Sequence, residues 1–379
     1  MSILKKVEYV LSPSHDEPHG NAYGHSISLS VGEDGFRQAA SDPGYNNGRG
    51  VVYLDAVLRE GIKSLAVMQP SEHLDWWCYG EVVKLSSSGD RLMVGYKSTG
   101  KMDPCFEVYK GDGIGIRVMP SVHLINATVI APAVMSDNGN TILSLIRTND
   151  GVPQVRIEVY RYKDGRFLHY QSLPVSDNGL SSNGNAEVLS DVRILTLSGS
   201  GKHFYLMRVL NGVQYIDYYR FLVSGYRRHG IKLPYLIDKI YAFHAWGSKL
   251  YNAYVVGRGL NRDITVYRCE LKENALTISA RYPVPMHLQS SYSKGVRVYG
   301  GTASELIALL PETGSTNGED VLVLTRHGFT QLMVSQPNGS VNRQIITIGL
   351  SSNTERLAFG TKQTMDGLEK GAIVYKVHI

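Results

Sequence analysis

The stretch richest in side chains capable of chemistry is residues 71–80, SEHLDWWCYG, which holds two of the chain's three tryptophans. His73 and Asp75 come shortly before the adjacent Trp76 and Trp77. Exposed aromatic rings beside an imidazole and a carboxylate are typical of surfaces that stack on sugars or anchor a protein partner. The alternative is that both indole rings wedge into a core. The segment therefore predicts either a ligand-binding loop or a packing element.

Three arginines in other polar loops extend this candidate ligand-binding set: Arg147, Arg258 and Arg262. Each follows an apolar stretch, so we expect it near the end of a strand, where binding residues often lie. His15, His19 and His287 occupy comparable loops. Taken singly, each of these residues also fits a solvated loop position.

Motifs for catalysis or cofactor binding are broken or absent. Residues 111–115 (GDGIG) imitate a dinucleotide loop, but the third glycine is misplaced and no helical pattern follows. Residues 198–202 (SGSGK) imitate a phosphate loop, yet Thr196 replaces its first glycine and His203 its magnesium-binding hydroxyl. There is no HExxH, and no GxSxG in a strand-to-helix setting. The sequence predicts a non-enzymatic binding protein without catalytic residues or a cofactor.

Glycoside hydrolysis is the enzymatic alternative, because it needs only two carboxylates close together in space, which one sequence does not reveal. A deep polar central pocket with paired Asp or Glu would favour this glycan-active hydrolase using loop-face carboxylates. A flat face with exposed aromatic residues would favour binding. A cytoplasmic scaffold is a third possibility.

The elements that must position these residues recur along the chain. Alternating strands end in Val-Tyr or a similar apolar pair, and the second residues of these pairs lie 48 to 59 positions apart. The mean spacing of about 54 is near the length of a four-stranded propeller blade with its loops. The second residues of the pairs are Tyr53, Tyr109, Tyr160, Tyr219, Tyr267, Val323 and Tyr375.

Each unit also carries a tight turn of small polar residues, such as residues 86–90 (SSSGD), 136–140 (SDNGN) and 198–202 (SGSGK). Such residues suit turns because they accept positive φ angles or cap their own backbone. The pattern predicts an all-β fold, a seven-bladed β-propeller of four-stranded antiparallel blades forming a single domain over residues 1–379. The predicted blades are approximately residues 23–69, 79–124, 127–175, 186–237, 239–284, 295–336 and 344–379.

The last unit stops after its third strand, whereas residues 1–12 contain a lone strand before the first unit. In a closed ring this N-terminal strand would complete the final blade and cover its open edge, because unpaired edges invite aggregation. We therefore expect residues 1–12 to be a closing strand.

Residues 23–54, YGHSISLSVGEDGFRQAASDPGYNNGRGVVYL, resemble the FG-GAP repeat of integrin-like β-propellers. Tyr23-Gly24 replaces Phe-Gly, and Ser41-Asp42-Pro43-Gly44 lies near the position of Gly-Ala-Pro. The resemblance extends to units two, three and seven, and to the middle units only in pattern. It implies a seven-bladed propeller that serves as a binding or adhesion platform.

Calcium-binding repeats of this family carry several carboxylates or amides in the first turn, because the ion needs six to eight oxygen ligands. The matching positions here are Ser30, Gly32, Asp34 and Gln38, so the calcium motif is mostly lost. Glu33 and Asp34 are the remaining plausible ligands, and an ordinary acidic turn explains them equally well.

Bulk composition narrows the partners and the location. The net charge of +5 is small and dispersed, which argues against a nucleic-acid partner. The three cysteines are widely spaced and predict free thiols. No signal peptide or membrane span is indicated. Proteins with the FG-GAP-like repeat are mostly exported. With the calcium motif mostly lost and no signal peptide indicated, the resemblance therefore implies a virus or phage particle protein at the virion surface or tail, binding a host-surface glycan or protein or neighbouring structural proteins, or otherwise a cytoplasmic protein.

Overall fold

The computed structural model describes residues 4–11, 25–32, 35–58, 61–70, 76–98, 106–119, 127–148, 154–175, 189–316, 320–325, 328–331, 343–351, 356–363 and 371–377. Strands make up most of these residues and form seven small sheets, in which strands adjacent along the chain pair antiparallel. We number the sheets as blades 1 to 7 in chain order. Within each, the first long strand of the meander is called the inner strand.

Blades 1 to 3 occupy the first half of the chain, after the N-terminal strand β1 (Leu4–Leu11). Blade 1 contains β2 (Ile27–Gly32), β3 (Gly35–Asp42), β4 (Val51–Leu58) and β5 (Gly61–Met68). Blade 2 contains β6 (Trp76–Leu85), β7 (Arg91–Ser98), β8 (Phe106–Lys110) and β9 (Gly115–Ile116). Blade 3 contains β10 (Val118–Met119), β11 (Ala127–Met135), β12 (Thr141–Thr148), β13 (Val155–Lys163) and β14 (Arg166–Pro174).

Blades 4 to 7 follow. Blade 4 contains β15 (Leu189–Leu197), β16 (His203–Leu210), β17 (Val213–Leu222) and β18 (Gly225–Ile231). Blade 5 contains β19 (Ile237–Trp246), β20 (Asn252–Gly259), β21 (Ile264–Lys272) and β22 (Ala275–Pro283). Blade 6 contains β23 (Val296–Gly300), β24 (Ile307–Pro311), β26 (Leu322–Thr325) and β27 (Gly328–Gln331). Blade 7 contains β28 (Arg343–Leu350), β29 (Arg356–Gln363) and β30 (Gly371–Val377), with the short β25 (Ser315–Thr316) beside β28.

The described helices are short. The helix α1 spans Tyr45–Gly48, a 3-10 helix spans Met286–Leu288, and α2 spans Gln289–Ser293. In the part of the chain that the structure describes, no helix has the length and apolar character needed to cross a membrane.

The N-terminal strand closes the last blade. Blades 1, 2, 4 and 5 are meanders of four consecutive strands, blade 3 adds β10 parallel to β14, and blade 6 passes over β25, which pairs with β28. Blade 7 supplies three long strands of its own and takes β1 as its outer strand. The pairing of β1 with β30 is antiparallel and runs from Leu4 opposite Val377 to Leu11 opposite Ala372. The predicted all-β propeller, closed by its N-terminal strand, is therefore confirmed.

Both faces of each blade are apolar because each blade packs against two neighbours. In β12 every residue except Arg147 is buried. The alternate side chains Leu143 and Leu145 belong to a cluster with Phe204 of blade 4, whereas Ile142 joins a cluster with Met93 of blade 2. This double burial explains why the strands contain long apolar runs, as strands covered on both faces do.

The tight turns between first and second strands follow one design. In blades 2, 3 and 4 a serine hydroxyl accepts a hydrogen bond from the backbone N–H five residues later, and a glycine with φ near +70° makes the turn possible. The pairs are Ser86 with Arg91 (3.1 Å), Ser136 with Thr141 (3.0 Å) and Ser198 with His203 (3.0 Å), and the glycines are Gly89, Gly139 and Gly201.

These turns also connect the blades around the ring. The Asn138 N–H of blade 3 donates to the Gly199 carbonyl of blade 4 at 2.9 Å, and the Gly247 N–H of blade 5 donates to the Thr302 carbonyl of blade 6 at 2.8 Å. We call this surface the turn face. The opposite surface, which carries the inter-blade links and the loops between second and third strands, is the loop face.

Candidate functional site

A cleft of about 770 Å³ on the loop face gathers several carboxylates. It lies where blades 4, 5 and 6 meet, and we call it the loop-face cleft. Its charged lining residues are Asp191, Arg193, Asp238, Lys239, Arg258, Lys294 and Glu312.

The starts of two inner strands bring Asp191 and Asp238 to this cleft. The pairing of β15 with β16 shifts register between Leu189 and Asp191, and that of β19 with β20 shifts between Ile237 and Lys239. Such bulges bend a strand locally and re-aim its side chains, and they are frequent beside active sites. Two inner strands are thus irregular at the points where they present a carboxylate.

Arginines hold both of these carboxylates. Arg193 Nη2 lies 3.2 Å from Asp191 Oδ2. Arg258 uses two nitrogens on Asp238 Oδ2, with Nε at 3.0 Å and Nη2 at 2.5 Å. The hydrogen bond and charge of Asp238 raise the pKa of Arg258. A guanidinium at hydrogen-bond distance favours the charged form of its carboxylate partner.

Glu312 forms the opposite wall of the cleft. Its backbone N–H donates to the Gly295 carbonyl at 2.9 Å, and its carbonyl accepts from Arg297 Nη2 at 3.1 Å. A Cβ at Gly295, where φ is +146°, would lie 2.5 Å from Glu312 Oε2. The glycine therefore lets the carboxylate approach the link before blade 6. Within the described ranges no cation lies within 4.0 Å of the Glu312 side chain.

An aromatic side chain and a polar clamp complete the blade 5 wall. Lys239 Nζ lies 5.1 Å from the centroid of the Tyr241 ring, which also lines the cleft. Gln214 of blade 4 binds the backbone of Ile240 twice, donating to its carbonyl at 3.0 Å and accepting from its N–H at 2.7 Å. This clamp fixes the inner strand that carries Asp238, Lys239 and Tyr241.

A second cavity, of about 380 Å³, is the central channel, which all seven inner strands line. Lys84 Nζ lies 2.9 Å from Asp137 Oδ1, and Thr302 Oγ1 of blade 6 donates to Asp137 Oδ2. Burial acts to raise the pKa of Asp137, but the charge of Lys84 and the hydrogen bond from Thr302 lower it overall. Because both oxygens of Asp137 are engaged, this carboxylate braces the ring across the channel.

One further cluster combines a serine, a histidine and a glutamate without forming a nucleophilic triad. His169 Nε2 lies 2.6 Å from Glu158 Oε2, and Ser172 Oγ donates to the same oxygen at 2.7 Å. A triad needs the acid on one ring nitrogen and the hydroxyl on the other. Here a single nitrogen faces both groups, so the cluster does not activate Ser172.

The predicted ligand-binding residues are not gathered at one place in the described structure. His73 and Asp75 lie outside the described residues, as do His15 and His19. The backbone of Trp76 and Trp77 begins β6, where they pair with Ser98 and Lys97, but their side chains lie outside the described part. Arg147 is exposed at the end of β12, and Arg262 is exposed in a turn with φ of +67°. His287 is exposed in the 3-10 helix, and Arg258 lines the loop-face cleft.

The calcium prediction also falls outside the description, because Glu33 and Asp34 are not among the described residues. Among the residues that are described, no group of three or more His, Cys, Asp or Glu side chains is placed to hold a metal ion.

Sequence reasoning missed the carboxylates of the loop-face cleft. A signal was present, since Asp191 and Asp238 each come at the start of an apolar segment that leads into a tight turn. In a propeller the starts of inner strands surround one face of the ring, so acidic residues at this repeated position deserved comparison. Glu312 gave no such signal, because its place depends on how blade 6 packs against the preceding link.

The fold is shared with solved propellers. Prolyl oligopeptidase B from Galerina marginata superposes with a TM-score of 0.57 at 11% identity over 95% of this chain and 50% of its own. An oligogalacturonate lyase in complex with manganese gives a TM-score of 0.54 at 13% identity over 99% of this chain and 96% of its own. The β-propeller domain of the Trilobed protease from Pyrococcus furiosus gives 0.50 at 8% identity, over 92% and 95% of the two chains.

The superpositions establish the propeller fold, and the low sequence identities show no closer relationship. Neither a family model nor a curated protein sequence matches the chain. The resemblance to FG-GAP repeats therefore has support only at the level of a multi-bladed propeller.

The main functional prediction was wrong. It assigned a non-enzymatic virus or phage particle protein that binds a host receptor or glycan or neighbouring virion proteins, whereas the similar propellers include a lyase and a prolyl oligopeptidase and no virion protein. The physical reason is that the repeat sets blade geometry, and blade geometry carries no information about a partner. By its residues and geometry the chain is a β-propeller closed by its N-terminal strand.

Proposed function

We propose that the protein is a glycan-active hydrolase whose site is the loop-face cleft. The observation that carries this proposal is the convergence of three carboxylates, Asp191, Asp238 and Glu312, on one cavity of about 770 Å³. Cavities of several hundred cubic ångströms are typical of ligand sites. Glycoside hydrolysis uses a pair of carboxyl groups, one as acid and one as base or nucleophile.

The surroundings of the carboxylates support a different role for each. Asp238 accepts two hydrogen bonds from Arg258, which orient its carboxylate as a base that activates water or a nucleophile that attacks the anomeric carbon. Glu312 has no described cation partner and is the carboxyl group that can carry a proton to the glycosidic oxygen. Asp191, paired with Arg193, would accept hydrogen bonds from sugar hydroxyls.

The cleft is a better candidate than the central channel. The channel has one described carboxylate, Asp137, and both of its oxygens are already bonded. The cleft carries carboxylates on opposite walls, together with arginines that can orient hydroxyl groups. The loop face therefore gathers several carboxylates in one cleft, which supports the hydrolase proposal.

The test is glycan cleavage by the purified full chain. New reducing ends and product masses would be measured over a panel of neutral and acidic polysaccharides, for the native protein and for Asp238→Asn and Glu312→Gln. We expect cleavage of at least one glycan and a loss of about 100-fold or more in each variant, since each removes an acid or base group.

Asp112→Asn is the matched control, because Asp112 is exposed on the turn face and its hydrogen bond to the Ile114 N–H at 3.1 Å can also be made by Asn. It should cleave at the native rate. A folded native protein that cleaves nothing in the panel, or cleft variants that retain full activity, would contradict the proposal.

A further inference from the structure

The charges of the loop-face cleft do not balance. Its lining holds four cations and three carboxylates: Arg193, Lys239, Arg258 and Lys294 against Asp191, Asp238 and Glu312. The charges cancel within each of two ion pairs, Arg193 with Asp191 at 3.2 Å and Arg258 with Asp238 at 2.5 Å. The remaining charges are two lysine ammonium groups and Glu312.

The two lysines are exposed and have no carboxylate within 4.0 Å among the described residues. Lys239 extends from the inner strand of blade 5, and Lys294 follows α2 in the link to blade 6. They therefore approach the cleft from two separate elements. A ligand between them would meet a positive charge on each side, in addition to hydrogen-bond donors from Arg193 and Arg258.

The cleft also offers apolar surface of the kind that sugar rings cover. Tyr241, Val213 and Leu233 line it, and Val213 is 53% exposed. An aromatic ring with a polar rim matches a pyranose, whose C–H face is apolar and whose edge carries hydroxyl groups. The Lys239 ammonium near the Tyr241 ring lies beside that surface.

A nucleic acid fits this arrangement less well, although lysines and aromatic side chains are common to both kinds of site. The three carboxylates of the cleft are hydrogen-bond acceptors, and a phosphodiester backbone presents mainly acceptors as well. The same carboxylates accept hydrogen bonds from sugar hydroxyls, which phosphates do not offer.

We infer that the loop-face cleft takes an acidic glycan, with Lys239 and Lys294 binding its carboxylate or sulfate groups and Tyr241 stacking on a sugar ring. This inference rests on the proposed function and narrows its substrate class. Lys239 and Lys294 are specificity-determining residues, because they contact the charged substituents and not the reacting bond.

The test compares each acidic polysaccharide with forms that differ only in charge. Uronate-containing glycans would be used native and carboxyl-reduced, and sulfated glycans native and desulfated, with binding measured by affinity electrophoresis and cleavage by reducing ends. We expect each native form to bind at least about tenfold more tightly than its neutral form, since several charge contacts are lost together. Whichever of the two pairs shows the difference identifies carboxylate or sulfate as the charged group.

Lys239→Gln and Lys294→Gln should each weaken binding of the acidic form by about two- to fivefold, the size of an exposed ion pair, and leave the neutral form unaffected. Lys110→Gln, on the turn face, is the control and should change neither. Added salt should weaken the acidic form selectively.

The outcomes separate the inference from the proposed function. Equal binding and cleavage of charged and neutral forms would overturn the acidic-glycan inference while supporting a glycan hydrolase. Binding of single-stranded DNA in preference to every glycan would overturn both. Absence of any glycan binding or cleavage by the folded protein would overturn the proposed function itself.

Discussion

His244 shows how one buried side chain makes the ring sensitive to acid. It is 6% exposed in the channel lining, and burial lowers its pKa from 6.5 to about 4. As pH falls below 6.5, His244 binds a proton in the unfolded chain but stays neutral in the folded protein. Stability is therefore lost between pH 6.5 and about 4. The difference of about 2.5 pKa units corresponds to roughly 3 kcal/mol. His244→Gln should remove this loss, so urea unfolding at pH 7 and pH 4.5 should differ by about 2 kcal/mol less in the variant.

His287→Gln is the control at the same scale, because it replaces an exposed histidine that does not line the channel. Identical pH dependence in the native protein and His244→Gln would mean that folding does not change the pKa of this imidazole, contrary to this account.

The contacts and roles of single residues were also what the sequence predicted least well. It identified Arg258 as a candidate but gave no reason to pair it with Asp238, because that contact depends on the register of β19 against β20. It favoured Trp76 and Trp77 because their chemistry is conspicuous. The structure instead places charged groups from three blades in one cleft, a convergence that depends on packing between units.

At the scale of the element, the serine turn is a design that sequence did reveal, and it can be tested. Ser136 is fully buried, and its hydroxyl accepts a hydrogen bond from the Thr141 N–H at 3.0 Å. Ser136→Ala would leave that buried donor without its acceptor, at a cost of about 1–3 kcal/mol in the free energy of unfolding. Ser88→Ala, in the exposed part of the blade 2 turn, should cost less than about 0.5 kcal/mol. Urea unfolding with unchanged m-values would measure both, and equal losses would contradict the role of the buried hydroxyl.

Turns and strands were predictable from sequence because each depends on residues close along the chain. A Ser-x-x-Gly turn closes within six residues, and a strand buried on both faces is recognisable from its apolar run. The bulges at the starts of β15 and β19 were not predictable. A bulge is an extra residue relative to the paired strand, so it is defined only once the pairing register is known.

At the scale of the whole molecule, closure of the ring followed from counting. A final unit one strand short and a lone strand at the other end of the chain predicted the pairing that β1 makes with β30. The spacing of the blades is a property of the whole sequence. It can be recognised even where single positions in a unit differ from the repeat pattern. Function did not follow in the same way, because a ring of blades supports many unrelated sites.

Closure leads to a prediction about the ring itself. Deleting residues 1–12 would remove β1 and leave β30 as an unpaired edge of blade 7. We expect the melting temperature to fall by about 5 °C or more, since an eight-residue strand contributes several kcal/mol. Self-association should rise in gel filtration because the exposed edge can pair with another chain.

A synthetic peptide of residues 1–12 should restore the melting temperature by adding the strand back, whereas a scrambled peptide should not. An unchanged melting temperature after the deletion would mean that the seven inner strands hold the ring closed without β1.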